Sequence, residues 1–361
     1  MNKRNKQTFR PDYAVPPGDT LLETIEAMGM SQAELAERTG RPKKTINEII
    51  MGKAAIMPET AIQLERVLGV PASFWNNLEQ NYQETRARIE EQKRLEKQIS
   101  WLNKIPVAEL IRRGLVKKAE NKTEQLATVL NFFGVASVEA WGDQLQKAEV
   151  AYRRSKIKKD NEGIVAAWLR LGELEAYKTE CQPYDEKRFK DALKQIRLLT
   201  VKVPEEYISK AKELFANAGV ALVFAREFTK LGTSGATWWM NPKKAVIQLS
   251  LRYKTDDHLW FSLFHEAGHI LLHGKKAMFL DDSIASSESA EVEANKFASD
   301  FLIDPKDYRT FVKQGDFSIA SISRFAESIS LAPGIVVGRL QHNSHLSYRQ
   351  CNELKVKLVW K

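Results

Sequence analysis

Apolar residues between Gly18 and Val70 recur three and four positions apart in short runs, the spacing of small amphipathic helices. Leu21, Leu22, Ile25 and Met28 predict a first helix, capped by Asp19 or Thr20 and ended by Gly29. In SQAELAERTG, Ser31 is a good N-cap and Glu34 completes a capping box. Leu35 and Ala36 face inward, and Gly40 stops the helix. RPKKTINEIIMGK follows, with Pro42 in a first turn and Ile46, Ile49 and Ile50 in one apolar stripe. PETAIQLERVLGV closes the bundle. After Pro71, NNLEQNYQETRARIEEQKRLEKQISWL reads as one long charged helix, its apolar positions too sparse for a coiled-coil seam. From about Pro106 to about Pro204 the helical spacing continues, in VAELIRRGL, TEQLATVLNFFGV, IVAAWLRLGELEAY and EKRFKDALKQIRLL.

Near residue 219 the period changes to two. GVALVFAREF, GATWWM and KAVIQLSLRY alternate and are rich in branched or aromatic residues, so they predict strands, with NPKK as the turn before the third. Asp256 and Asp257 suit the start of a helix and Gly274 its stop; further helices and a final strand are expected up to Trp360. The fold class expected is α+β, mostly α. Its parts are a helix-turn-helix bundle over 1–80, a helical connector over 81–204, and a C-terminal domain over 205–361 with a small sheet.

Composition narrows the setting without changing this picture. The 361 residues are 43% hydrophobic and 28% charged, an ordinary globular balance. Two distant cysteines, Cys181 and Cys351, make neither a disulfide framework nor a cysteine zinc site and suit a reducing cytoplasm. The basic start, MNKRNKQTFRPDY, is followed by no apolar run, so it is not expected to be a signal peptide, and no membrane association is expected. The net charge of +9 favours an anionic partner such as DNA. A second basic cluster, Ala151 to Asp160, reads as an exposed loop between helices.

Two short helices joined by a glycine-containing turn make a helix-turn-helix, whose second helix enters the major groove. Lys44, Thr45 and Asn47 are placed to reach base edges; Arg41, Lys43 and Lys53 suit phosphates.

The segment FSLFHEAGHILLHG carries the catalytic candidates. On a helix, His265 and His269 share a face about 6 Å apart along the axis, so both rings can converge on one Zn2+ at about 2.1 Å. Glu266 is placed to hold the attacking water, take its proton and return it to the leaving amine. His258 and His273 cannot complete the set, because His273 lies about 12 Å from His265 on a straight helix. An HExxH arises by chance often enough to require a second feature. SAEVEANKFASDFLIDP, downstream, is helical and unusually acidic. Glu291, Ala294, Ala298 and Leu302 follow one face, and Asn295 is placed to hydrogen-bond a ligand histidine. Glu293 is as near the apolar stripe as Glu291, and periodicity alone leaves the third ligand open between them.

Two family resemblances bear on these motifs. SQAELAERTG, INEIIMGK, PETAIQLERVLGV and SFWNNLEQNY resemble the HigA-type antitoxin branch of the lambda-repressor-like (XRE) helix-turn-helix family, over about 65 residues. That resemblance implies operator DNA binding as a homodimer, autorepression, and in antitoxins a toxin partner. The chain is far longer than such an antitoxin. SGATWWM, FSLFHEAGHILLHG and EVEANKFASDFLIDP resemble the ImmA/IrrE-type zinc metallopeptidases, over roughly residues 200 to 305. The resemblance implies a zincin-like domain with Zn2+ on His265, His269 and Glu291, Glu266 as catalytic base, and a glutamate-plus-four spacing to Asn295. It selects Glu291 over Glu293. Ile303-Asp304-Pro305 departs mildly from the usual Leu-Met-Pro. Gly235, Ala236 and Thr237 are expected to bind extended substrate at a sheet edge. SISRFAESISLAPGIVVGRLQH resembles the family's tail, in which Ala332-Pro333 starts a helix carrying Arg339, assigned only a packing role.

The function expected is a cytoplasmic DNA-binding transcription regulator with a fused zinc peptidase that cleaves a regulatory protein, a repressor or antitoxin. The alternative is a HigA-like repressor whose peptidase fold acts only as a sensor or partner-binding module.

Overall fold

A computed structural model describes residues 13–143, 161–273, 279–282 (backbone) and 289–360. The basic cluster Ala151 to Asp160, the helix stop expected at Gly274 and the first twelve residues lie outside the described residues. The chain divides into two compact units, residues 1–99 with 120–127, and residues 100–119 with 128–361.

The first unit is built on α1 (Pro17–Ala27), α2 (Gln32–Thr39), α3 (Lys43–Ile50), α4 (Pro58–Leu68) and α5 (Ala72–Glu96). Helix α1 begins earlier than its sequence suggests: Pro16 is the cap and Pro17 the first helical residue, because a proline there is already set to helical φ and loses no hydrogen bond. Met28 consequently sits at the C-cap and is exposed rather than part of the apolar stripe. The Ser31 hydroxyl accepts from the Glu34 amide at 3.1 Å, one half of a capping box. The Glu34 carboxylate pairs instead with Arg38, one turn on. Gly40 ends α2 with φ of 68°, a left-handed cap that favours glycine. Leu21, Ile25, Leu35, Ile46, Ile49, Leu64 and Trp75 form the core of this unit. Helix α5 is one continuous run of 25 residues, with Trp75 and Leu95 buried.

Helices α6 (Val107–Arg112), α7 (Lys122–Phe133), α8 (Glu162–Lys178), α9 (Glu186–Leu198) and α10 (Pro204–Asn217) precede the sheet. Strands β1 (Val220–Phe224), β2 (Thr233–Asn241) and β3 (Lys244–Leu249) follow, then α11 (Asp256–Leu272), β4 (Phe279–Asp282), α12 (Ser289–Leu302), α13 (Pro305–Gln314), α14 (Ile319–Ser328) and α15 (Pro333–His342). The strand order is β1-β3-β2-β4, with β1 parallel to β3 and the other pairs antiparallel. Helix α8 packs on the sheet: the Trp168 indole donates to the Ala225 carbonyl at 3.0 Å, and the Gln248 amide to the Trp168 carbonyl at 2.8 Å. The protein is thus mostly helical with a small sheet near its C-terminal end.

Helix α11 packs on β2, β3, α12 and α15. It is buried nearly all round, as a helix between a sheet and other helices must be. The expected final strand is a single bridge, Thr255 to Lys357, with Leu358 N–H donating to the Lys254 carbonyl. Around it, Asp256 and Val356 exchange hydrogen bonds, and Lys355 Nζ lies 2.6 Å from Asp257 Oδ2. The segment 355–358 therefore covers the start of α11. Among the described residues, no helix is long and apolar enough to cross a membrane.

Candidate metal centre and helix-turn-helix surface

The four-residue step of α11 sets His265 and His269 on one face, and α12 brings Glu291 to meet them. His265 Nε2 lies 3.0 Å from His269 Nε2, and the Glu291 carboxylate oxygens lie 3.2 and 3.5 Å from these nitrogens. The three ligand atoms lie within 4.8 Å of one another, so one ion can contact all three. Small residues make the approach possible: Ala294 and Ala298 of α12 are fully buried, and a side chain at Gly268 would press on Phe297 and the Ala294 backbone.

The electrostatics suit a cation. Burial, partly offset by Glu291, lowers the His269 pKa to about 4 and keeps the ring neutral, as a metal ligand must be. Burial would raise Glu291, but the adjoining imidazoles of His265 and His269 outweigh it and hold the carboxyl down at about 2. Asn295 Oδ1 lies 3.0 Å from His265 Nδ1. An amide oxygen only accepts, so Nδ1 carries the proton and Nε2 presents its lone pair to the cluster.

Glu266 points from α11 toward the sheet. Its side chain is fully buried, and Oε2 accepts from the Thr237 hydroxyl at 2.6 Å. A Cβ on Gly235 would come within 2.4 Å of Glu266 Oε1, so only glycine leaves room for this carboxylate. The open-edge position expected for residues 235–237 is not found. Strand β2 lies between β3 and β4, and Ala236 and Thr237 are already paired with Leu280 and Phe279. The sheet closes because a fourth strand, unmarked by alternation in FLDD, joins β2 on the side away from β3. Gly235 and Thr237 instead seat Glu266, a link between strand and helix that sequence spacing does not reveal.

Glu293 lies outside the cluster, with Oε2 3.6 Å from His273 Nε2. His273 meets the outer side of the His269 ring, Nδ1 to Nδ1 at 3.1 Å. His258 is stacked on Tyr253 with ring centroids 4.1 Å apart.

In the first unit, Lys43, Lys44 and Asn47 are exposed on α3, Thr45 is half-buried, and Lys53 is exposed just after the helix. Arg41, the other expected phosphate contact, has partners within the unit: its Nε donates to Gln63 Oε1 at 2.7 Å, and Nη2 lies 3.6 Å from Glu59. The guanidinium is tied to α4 because it follows the turn at Gly40, beside that helix. Asn47 Nδ2 donates to Gln32 Oε1 at 3.3 Å, joining the first residue of α2 to the outward face of α3.

Comparison with known proteins divides the chain the same way. Residues 21–75 match the helix-turn-helix family and residues 220–340 the IrrE N-terminal-like domain. Over 63 residues the chain is 35% identical to an uncharacterized HTH-type transcriptional regulator, YddM, of Escherichia coli, covering 18% of this chain and 67% of that one. It is 36% identical over 59 residues to virulence-associated protein A of Dichelobacter nodosus, covering 16% of this chain and 58% of the relative. Among solved structures, it is similar to the antitoxin HigA of Pseudomonas aeruginosa, solved with the higBA promoter. That likeness has 29% identity, spans 24% of this chain and 94% of that one, and has a TM-score of 0.22.

Proposed function

The chain belongs to the helix-turn-helix transcriptional regulators and carries an IrrE N-terminal-like peptidase domain, and from that premise we propose a zinc-dependent endopeptidase fused to an operator-binding module. The observation that carries the proposal is the convergence of His265, His269 and Glu291 on one point, one residue along the chain from a buried, fixed Glu266.

Three protein ligands leave a fourth position open, the pattern of a catalytic rather than a structural zinc. Zinc bound there supplies Lewis acidity to a water and to the scissile carbonyl. The chain's own residues do the rest. Asn295 fixes the His265 tautomer. Thr237 and Gly235 aim the Glu266 carboxylate. Glu266 takes the proton of the attacking water and gives it to the departing amine.

Lys44 and Asn47 are the base-reading side chains in this proposal, with Thr45 beside them and Lys43 and Lys53 on phosphates. The substrate is a regulatory protein, a repressor or antitoxin, and the DNA module brings the protease to it on the operator. The module binds as a homodimer, in the cytoplasm, with a toxin as a further partner where the operon encodes one. The functional division is 1–80, 81–204 and 205–361.

The test uses cells expressing wild-type protein or Glu266→Gln from the same promoter, with new protein N-termini mapped in each. We expect about one zinc per chain in both purified proteins, and a small set of cleavages in regulatory proteins present only with wild type. Zinc in both with identical N-termini would replace the peptidase by a sensor or partner-binding role.

A further inference from the structure

A cavity of about 350 Å³ opens from the metal cluster and runs between α11, α12 and α15. Glu291, Asn295 and Ser299 line it from α12 at four-residue steps, so one helix face forms its floor. Arg339 of α15 lines its wall, beside Asp300, the residue next to Ser299.

The guanidinium of Arg339 is poorly satisfied. Nε and Nη1 are buried with no hydrogen-bond acceptor. Asp300 Oδ1 stands 3.9 Å from Nη2, beyond hydrogen-bond range. The ring of Tyr308 lies 5.0 Å from the guanidinium carbon, and its hydroxyl is a hydrogen-bond neighbour of the guanidinium, so Tyr308 stabilises the charge. An arginine cannot shed its charge to escape such a setting. Lys355 is paired with Asp257, and Glu291 faces the two histidines. Burial pushes His258 toward its neutral form. Among the described residues of the wall, Arg339 is thus a cation whose carboxylate neighbour, Asp300, stands outside hydrogen-bond range, in a cavity that leads to the metal cluster.

We propose that Arg339 is a specificity residue that binds the carboxylate of an acidic side chain in an extended peptide substrate. Guanidinium and carboxylate match as a hydrogen-bonded pair, and a ligand carboxylate in the cavity supplies Nη2 with the close acceptor that Asp300, at 3.9 Å, is not. Spacing fixes where the acidic residue falls. Asp300, beside Arg339, is nine helical residues from Glu291, about 13 Å at 1.5 Å per residue. An extended chain covers that in about four residues at roughly 3.3 Å each. The acidic side chain thus lies about four residues from the bond that is cut. This inference rests on the peptidase reading for its substrate class, and its test is a binding measurement that needs no turnover.

The probe is a set of fluorescent ten-residue peptides of neutral sequence, acetylated and amidated, with one Glu or one Gln walked through every position. Binding to the full-length, zinc-loaded Glu266→Gln protein is read by fluorescence anisotropy. We expect one position at which Glu binds at least tenfold tighter than Gln. The additional change Arg339→Met should abolish that preference, and Arg339→Lys should retain part of it. Zinc content and near-ultraviolet circular dichroism matching the parent establish that each variant is folded, and Arg339→Lys serves where Arg339→Met is not. Absence of any Glu preference, or its survival without the guanidinium, would overturn the assignment. Failure of the peptidase reading shows elsewhere, as wild-type protein that binds the Glu peptide and never cuts.

Discussion

On α3 the candidate contact residues Lys43, Lys44 and Asn47 are exposed, while in the metal centre His265, Glu266 and His269 are 2%, 0% and 1% exposed. The exposed set is held by a backbone scaffold. The Ser31 cap, the left-handed Gly40 and the isoleucine stripe of α3 would stand unchanged if any one lysine were removed. The buried set is held by side chains that hold one another: Asn295 on His265, Glu291 on both histidines, Thr237 and Gly235 on Glu266. Surface recognition built this way degrades by steps. Buried chemistry fails as a unit, because each group removed leaves another buried and unpaired.

The contrast breaks first where it is most extreme. Glu291→Ala should reduce bound zinc from about one equivalent to near none by mass spectrometry, since it removes one of three ligands. Glu293→Ala, outside the cluster, should leave zinc in place. Next, Gly235→Ala puts a methyl 2.4 Å from Glu266 Oε1. We expect about a hundredfold loss of cleavage, from a catalytic group displaced by about 1 Å. A stability loss of about 1–3 kcal/mol in urea unfolding should accompany it. Equal activity in Gly235→Ala and wild type would show that the carboxylate is not held as tightly as its surroundings imply.

The exposed side should respond more gently. Lys44→Ala should weaken operator binding by about 1–3 kcal/mol and relax base preference at one position, while Lys43→Ala should weaken all sequences alike and lower the salt slope by about one. Neither should alter zinc content. The smallest effect concerns Asp256, whose pKa burial pushes up to about 6. A folded carboxyl that holds its proton above the ordinary value destabilises the fold as pH rises from about 4 through 6. Asp256→Asn, which keeps an acceptor for Val356 N–H, should therefore raise stability at pH 7 by about 1–2 kcal/mol. At pH 4 the gain should vanish, which thermal melts at the two pH values will check.

The contrast also explains what the sequence makes legible. Helices repeat their apolar residues locally, so the five helices of the first unit and the HEAGH helix are visible in spacing alone. HExxH and the Glu291–Asn295 step are helix geometry written as sequence intervals. The relations that finish the site join residues far apart. Thr237 and Glu266 are 29 positions apart, His265 and Asn295 are 30, and no local period connects a strand residue to a helix residue. Strand β4 carries no alternation, and its pairing is what removes the edge expected at residues 235–237. Arg41 stands in a basic run, and the side chain its guanidinium bonds, Gln63, is 22 positions away. Composition reports a charge but not who answers it.

The bridge between Asp256 and Val356 spans 100 positions. During synthesis at about 5–20 residues per second, α11 leaves the ribosome roughly 5–20 seconds before the segment that covers its first turn. For that interval the residues of the first turn of α11 are without the segment that covers them in the finished fold. The order of translation thus imposes a delay between making the metal ligands and completing the helix that carries them.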